Sequence, residues 1–143
     1  MPINEKDRQL LAILSDNARM PVASIARALG LSRTTVQARI ERLERDGVIA
    51  GYGLRLTDAY ESGLVKAHVS ITIAPKSLAR VSAELSAIRE VKTLHSVSGN
   101  FDLIAVISAA SISELDDLID RIGQIAGVER TLSSIILSTR IQR

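Results

Sequence analysis

The chain has 143 residues and a formal net charge of +2, with 46% hydrophobic and 24% charged residues, values ordinary for one or two small globular domains. It contains no cysteine, which excludes disulfides, thiolate metal sites and cysteine nucleophiles. Aromatic residues make up only 2%, which argues against stacking of single-stranded bases on aromatic side chains. Without a signal-peptide pattern or an apolar run long enough to cross a bilayer, a cytoplasmic protein is expected.

The first 45 residues predict three helices. Asn4 is expected to cap the first helix, with Asp7 three residues later in an approximate capping box. Asn17 and Pro21 end this helix and open the second one. The second helix has one apolar face at helical spacing, which consists of Val22, Ile25, Ala26 and Leu29.

A tight turn is predicted between the second and third helices. Gly30 stands where the second helix must stop, because glycine takes the left-handed conformation at little steric cost. Ser32 is a good N-cap for the third helix. Two short helices with a glycine at the turn have the spacing of a helix-turn-helix, in which the second helix faces outward.

The third helix is the candidate recognition helix for the major groove of DNA. It combines short polar side chains near its N-terminus, a small residue that permits close approach, and arginines that could reach phosphates. Five arginines and two acids lie between Arg27 and Arg45, and the excess positive charge of the chain lies in its first 60 residues. The alternative is an ordinary helical hairpin with a solvated charged face. The predicted DNA-binding residues are Ser32, Arg33, Thr34, Thr35, Gln37, Ala38, Arg39 and Arg42.

A linker is predicted after the third helix. Residues 48–56 look like extended chain with glycine breaks, either a short wing or a linking strand. The polar, turn-forming segment 57–63 is the best domain boundary. The expected organisation is a DNA-binding domain over residues 1–50, a linker strand and hinge over 51–63, and a second domain over 64–143.

The second domain is predicted to repeat a strand-helix-strand unit, in the order β-α-β-β-α-β. The predicted strands are 64–74, 91–98, 101–109 and 128–141, and the predicted helices are 77–89 and 111–124. This order indicates a ferredoxin-like sandwich with an antiparallel sheet and both helices on one face. The whole chain is therefore expected to be α+β.

One face of the predicted sheet is left without helices. On the first strand this face is polar. The last strand carries apolar residues on both of its sides, Leu132 and Ile136 on one and Ile135 and Leu137 on the other, so it adds apolar groups to this face in either phase. Because a half-apolar face is costly to leave in water, we expect a second copy of the chain to cover it. The alternative is a monomer with one solvated sheet face.

Two segments give the chain a resemblance to a known family. Residues 39–49 read RIERLERDGVI and residues 98–102 read SGNFD, and between them the chain resembles the Lrp/AsnC (feast/famine) transcriptional regulators over its whole length. The resemblance implies an N-terminal DNA-binding domain and a C-terminal effector module. It also implies dimers that assemble further, to tetramers or octamers, and a small-molecule effector, usually an amino acid, bound between subunits.

The resemblance places the effector site at the turn Gly99, Asn100, Phe101 and Asp102. Asp102 could take the ammonium group of an amino acid or hold the loop in place. The facing groups of the last strand would be Thr131, Ser133 and Ser134. The family more often has Asp-Tyr where this chain has Asn100 and Phe101, a departure that bears on the identity of the ligand.

Two other functions remain open at this stage. Sirohaem decarboxylases look like regulators of this family, and His68 or His95 could serve such an enzyme. However, the sequence has no nucleophile elbow, phosphate-binding loop, dinucleotide fingerprint or metal-ligand spacing, so no enzyme, cofactor or metal site is predicted. The third possibility is a ligand-sensing module that does not bind DNA.

Overall fold

A computed structural model describes residues 2–61 and 63–143. The chain divides into two units, the first ending at Arg55 and the second beginning at Leu56. This division falls inside the predicted linker, residues 51–63.

The first unit contains three helices: α1 (Glu5–Asp16), α2 (Val22–Leu29) and α3 (Arg33–Arg45). The predicted ends of these helices are confirmed. Asn4 and Asp7 form a reciprocal capping box at the start of α1, and Gly30 ends α2 in the left-handed conformation with a φ of 67°. The hydroxyl of Ser32 accepts a hydrogen bond from the amide of Thr35 at 3.1 Å and so caps α3.

The three helices of the first unit share one apolar core. Its buried members are Leu10, Ile25, Ala26, Leu29, Val36, Ile40 and Leu43. The helical spacing of the sequence places these side chains on the inner stripe of each helix. A hydrogen bond also joins α1 to α2: the ammonium group of Lys6 donates to the carbonyl oxygen of Leu29, at the C-terminal end of α2, at 2.7 Å.

The predicted wing or linking strand over residues 48–56 pairs with no strand of the described chain, and its role stays a prediction. Residues 50–57 are exposed and belong to no strand, and a one-turn helix, α4 (Asp58–Glu61), follows them. An extended segment becomes a strand only when a neighbour supplies hydrogen bonds, and no described segment pairs with residues 50–57. The predicted hinge therefore includes one helical turn; its residue Ser62 lies outside the described residues.

The second unit has the predicted β-α-β-β-α-β order, so the ferredoxin-like fold and the α+β class are confirmed. Its elements are β1 (Val65–Ile73), α5 (Leu78–Ser86), β2 (Val91–Ser96), β3 (Leu103–Ala109), α6 (Ile112–Gly123) and β4 (Val128–Ile136). The strands form one antiparallel sheet in the order β2-β3-β1-β4.

Both helices of the second unit pack on the same face of the sheet. The buried side chains on the helix side are Val81, Leu85, Ile88, Leu115, Leu118 and Ile122, and those on the strand side are Ala67, Val69, Ile71, Leu103, Ala105, Ile107 and Ala109. The alternation along β1 and β3 follows from the two-residue period of a strand. The opposite face, which we call the open face, carries no helix.

The last strand is shorter than predicted. It ends at Ile136, which pairs with Lys66 near the start of β1, and residues 137–143 are irregular and exposed. Although the residues beyond Ile136 suit a strand, this register leaves only Val65 of β1 opposite them, and the residues after Leu137 have no β1 residue with which to pair. The register also settles the phase of β4, since Leu132 and Ile136 share the open face with Ser70 and Lys66.

Candidate nucleic-acid interface and ligand site

The exposed side of α3 is polar and unobstructed by the rest of its unit. Thr34, Gln37, Ala38 and Glu41 are all exposed, and together with Arg33 they line an open groove on this side of the helix. The amide of Gln37 donates to a carboxylate oxygen of Glu41 at 3.1 Å, one helical turn further on. This face offers donors, acceptors and a small residue at the positions that the sequence predicted.

Two of the predicted DNA-binding residues serve the helix itself. The hydroxyls of Ser32 and Thr35 lie 2.8 Å apart and form a hydrogen bond, in addition to the cap on the Thr35 amide. Their side chains therefore stabilise the first turn of α3. A contact with DNA through these two hydroxyls stays a prediction.

Arg39 and Arg42 are bound to a buried carboxylate. Asp7 of α1 is fully buried, and its two oxygens accept from Arg39 Nη1 at 2.9 Å and from Arg42 Nη2 at 2.6 Å. Arg39 Nη1 also donates to the side chain of Asn4 at 3.2 Å. The two arginines thus join α3 to α1, a role that the sequence reasoning did not assign to them.

The charges around Asp7 hold it in the ionised form. Burial by itself raises the pKa of Asp7, but the backbone hydrogen bond from Asn4 and the guanidinium groups of Arg39 and Arg42 lower it more, so its pKa lies below the usual value. Because a buried carboxylate needs paired donors, the arginines cannot leave it without exposing an uncompensated charge. Arg39 and Arg42 therefore have a structural role within the unit, and their predicted phosphate contacts stay a prediction.

The role of Asp7 had a signal in the sequence that the prediction did not use. Asp7, Leu10, Leu11 and Leu14 follow i, i+3, i+4, i+7, so an acid stands on the apolar stripe of α1. Arg39 and Arg42 likewise share one side of α3, being three residues apart. What the sequence could not show is that these two sides meet, more than thirty residues apart along the chain.

The predicted ligand turn between β2 and β3 is clamped to the end of β1. Gly99 has a φ of 118°, which favours glycine. The amide of Asp102 donates to the carbonyl oxygen of Ile71 at 2.9 Å, and its carboxylate Oδ2 accepts from the amide of Ile73 at 2.9 Å. Of the two roles considered for Asp102, the structure shows the second: it holds the loop in place.

The structure does not bring together the three β4 residues that were expected to face this turn. Thr131 and Ser133 lie opposite Ile71 and Val69, on the helix-covered face, whereas Ser134 lies opposite His68 on the open face. Adjacent residues of a strand point to opposite faces, so these hydroxyls do not converge within one chain. Their part in an effector site between subunits stays a prediction.

Arg130 is the β4 side chain that does reach the turn. Its guanidinium carbon lies 5.5 Å from the centre of the Phe101 ring, within the range of a cation–π contact. Sequence reasoning missed Arg130, because its position depends on the pairing of β4 with β1, in which Arg130 lies opposite Thr72.

The open face of the sheet is half apolar. Ile104, Val106 and Ile136 are half-buried, and Leu132 is 60% exposed. His68 and His95 lie on the same face in different rows of the sheet, opposite Val106 and Ile104 respectively. Among residues 2–61 and 63–143, no cluster of three or more histidine, aspartate or glutamate side chains could hold a metal ion. No helix within the same residues is long and apolar enough to span a membrane.

These features define a class of protein: a helix-turn-helix unit with a free, polar second helix, joined to a ferredoxin-like unit with one open sheet face. Two family models match the chain. One describes a winged helix-turn-helix DNA-binding domain and matches residues 3–50, and the other describes the Lrp/AsnC ligand-binding domain and matches residues 66–143.

Known proteins resemble the chain over nearly its full length. The transcriptional regulator LrpA of Pyrococcus horikoshii is 35% identical over 136 residues, which cover 94% of this chain and 96% of LrpA. The structure of Escherichia coli AsnC matches with a TM-score of 0.87 at 26% identity, covering 100% of this chain and 97% of AsnC. A feast or famine regulatory protein of Mycobacterium tuberculosis, solved in complex with L-methionine, matches with a TM-score of 0.86 at 34% identity, covering 99% and 96%.

The chain belongs to the Lrp/AsnC family of transcriptional regulators. The resemblance drawn from residues 39–49 and 98–102 is thereby confirmed. It is a regulator with an N-terminal DNA-binding domain and a C-terminal ligand-binding domain. Its relatives are named as regulators, which favours regulation over the enzymatic alternative.

Proposed function

We propose that α3 enters the major groove of DNA, with Thr34, Gln37 and Ala38 against the base edges and Arg27 and Arg33 against phosphates. The observation that carries this proposal is the exposed polar face of α3, held on a helix whose opposite side is fully packed. Arg27 and Arg33 are exposed and pair with no acid among the described residues. Threonine and glutamine can read base edges, and a small alanine allows close approach.

We further propose that the chain is a homodimer whose subunits meet through the open sheet face. Leu132, Ile104, Val106 and Ile136 form a partly exposed apolar set there, of the kind that marks an association surface. In a two-fold dimer the same face of both subunits forms the interface, so the apolar set of each subunit is buried against that of its partner. The dimer would present two recognition helices to DNA, so the expected binding sites are near-palindromic.

The effector in this proposal is a free amino acid. Its support is the ligand-binding family model over residues 66–143 and the related regulator that was solved with L-methionine. The amino acid acts by binding one assembly of the protein better than another. The resulting change in DNA affinity can be no larger than that difference and is expected to be on the order of 1–3 kcal/mol.

The DNA interface is tested by fluorescence anisotropy on duplexes selected from a genomic library, at several salt concentrations. The wild type is expected to bind near-palindromic duplexes with strong salt dependence. Arg33→Gln should reduce the magnitude of the slope of log K against log[salt] by about 1.8 for the dimer, since it removes one phosphate contact from each of the two subunits. Arg89→Gln, an exposed arginine of the second unit, is the matched control and should leave the slope unchanged.

Two results would contradict the proposed interface. If no duplex is bound at low ionic strength, the chain is a ligand-sensing module that does not bind DNA. If Arg33→Gln and Arg89→Gln give the same slope as the wild type, DNA is bound through another surface.

A further inference from the structure

One side chain on the exposed face of α3 carries a charge that opposes DNA binding. Glu41 is exposed and lines the same open groove as Thr34 and Gln37. It forms no ion pair with any lysine or arginine that the structure describes. Because DNA is a polyanion, an unpaired carboxylate on this face weakens association with every sequence. Glu41 therefore does not serve affinity, and its contacts point to another role.

Glu41 holds the side-chain amide of Gln37 in one orientation. Nε2 of Gln37 donates to Oε1 of Glu41 at 3.1 Å, and the two residues are one helical turn apart. An ionised carboxylate can only accept hydrogen bonds, so the nitrogen of the amide, and not its oxygen, must face Glu41. Without the carboxylate, the amide would be free to turn over and exchange the places of its oxygen and nitrogen.

The part of the Gln37 amide that is left free matches one base. Its second N–H and its carbonyl oxygen bond to no residue that the structure describes. Together they place a donor beside an acceptor, the pair that meets N7 and the N6 amino group of adenine in the major groove. Guanine presents two acceptors there, N7 and O6, and offers no donor to the carbonyl oxygen. An amide that is free to turn can direct its nitrogen at guanine, so it separates the two bases less well.

We propose that Glu41 is a positioning residue for base recognition: it fixes the Gln37 amide so that α3 reads adenine and rejects guanine at one position of each half-site. The proposal rests on the entry of α3 into the major groove proposed above. Glu41 itself contacts no base in this arrangement, and its effect on discrimination passes through Gln37.

The test measures ratios of affinity by competition anisotropy with the full chain. One duplex carries the near-palindromic site selected for the wild type, and the others change each base pair of both half-sites in turn. The variants are Glu41→Ala, Gln37→Ala and the double variant. Glu44→Ala removes the same charge from another exposed position of α3 and is the matched control. A ratio of affinities measured on one preparation does not depend on the fraction of protein that is folded, so a loss of structure cannot imitate the effect.

The position that Gln37 reads is the one at which Gln37→Ala lowers the preference for adenine over guanine. There, Glu41→Ala should lower the preference by at least about fivefold, since a bidentate pair discriminates on the order of 5- to 100-fold. Glu44→Ala should keep the wild-type preference. In the Gln37→Ala background, Glu41→Ala should change the preference no further, because its effect needs the amide. Glu41→Ala should also bind random duplexes at least as tightly as the wild type.

The other outcomes overturn the assignment in different ways. If Gln37→Ala loses the preference and Glu41→Ala keeps it, Glu41 does not position the amide, and the proposed entry of α3 stands. If the two single effects add in the double variant, Glu41 contacts a base directly. An equal loss in Glu44→Ala would make the effect one of net charge. If Gln37→Ala changes the preference at no position, the base contact proposed for Gln37 fails together with the role of Glu41.

Discussion

The carboxylate of Asp7 is the group whose removal most directly tests how α3 is held. Asp7→Asn keeps the size of the side chain and one acceptor oxygen but removes the negative charge. Arg39 and Arg42 then share a site without a counter-ion, with only 22% and 25% of their side chains exposed. We expect the first unit to lose stability because both guanidinium groups are held against α1.

The expected size of this loss follows from the burial of the three groups. Breaking a fully buried ion pair costs about 3–5 kcal/mol. The two arginines keep some contact with water, so we expect about 2–3 kcal/mol. For a unit of this size, such a loss lowers the melting temperature by on the order of 10 °C.

The assay combines calorimetry of the full chain with hydrogen exchange of the amides of α1. Asp16→Asn, at the exposed end of the same helix, is the control and should change stability by less than about 0.5 kcal/mol. The pKa of Asp7 is lowered in the folded chain below its usual 3.8. The ionised carboxylate therefore contributes its full stabilisation at pH values well above 3.8. This contribution is lost as the pH falls through 3.8 towards the lower pKa that Asp7 has in the folded chain.

Acidification provides the second check on the same reasoning. As the pH falls below 3.8, the wild type should lose more stability than Asp7→Asn does, because the variant has no carboxylate at this position to protonate. If Asp7→Asn is as stable as Asp16→Asn, and both show the wild-type dependence on pH, then the ion pairs with Arg39 and Arg42 contribute nothing to the unit.

Three further predictions concern other parts of the chain. Gln37→Ala should alter which base is preferred at one position of the DNA site, by about 1–3 kcal/mol, rather than weaken all sites equally, as a competition assay with single-base variants would show. Gly127→Ala should lower the free energy of unfolding of the second unit in urea by more than about 2 kcal/mol, since Gly127 has a φ of 102° and a Cβ there would lie 2.8 Å from Ser77 Cβ. Gly123→Ala, with open space around it, is the control and should leave the stability unchanged. Leu132→Lys should dissociate the dimer in sedimentation at micromolar concentration, whereas Leu137→Lys, 94% exposed and beyond the sheet, should not.

Much of the local structure could be predicted because it depends on neighbouring residues. The capping box of Asn4 and Asp7, the left-handed Gly30 and the cap at Ser32 each involve groups within a few residues of one another. The ferredoxin-like order followed from alternating periods of two and 3.6 residues. Predictions that needed a partner strand were less secure: residues 48–56 and residues 137–141 suited a strand, but no strand among the described residues pairs with them.

For the candidate sites, too, local features could be predicted from the sequence, whereas contacts between distant residues could not. The sequence by itself determined that α3 has a polar outer face and that a tight turn joins β2 to β3, since spacing along one element decides which side chains share a face. Only the tertiary structure decided that Arg39 and Arg42 face a buried Asp7, that Ser134 rather than Ser133 lies on the open face, and that Asp102 accepts from the amide of Ile73. These outcomes depend on which elements come into contact and in what register, and packing sets that over the whole unit.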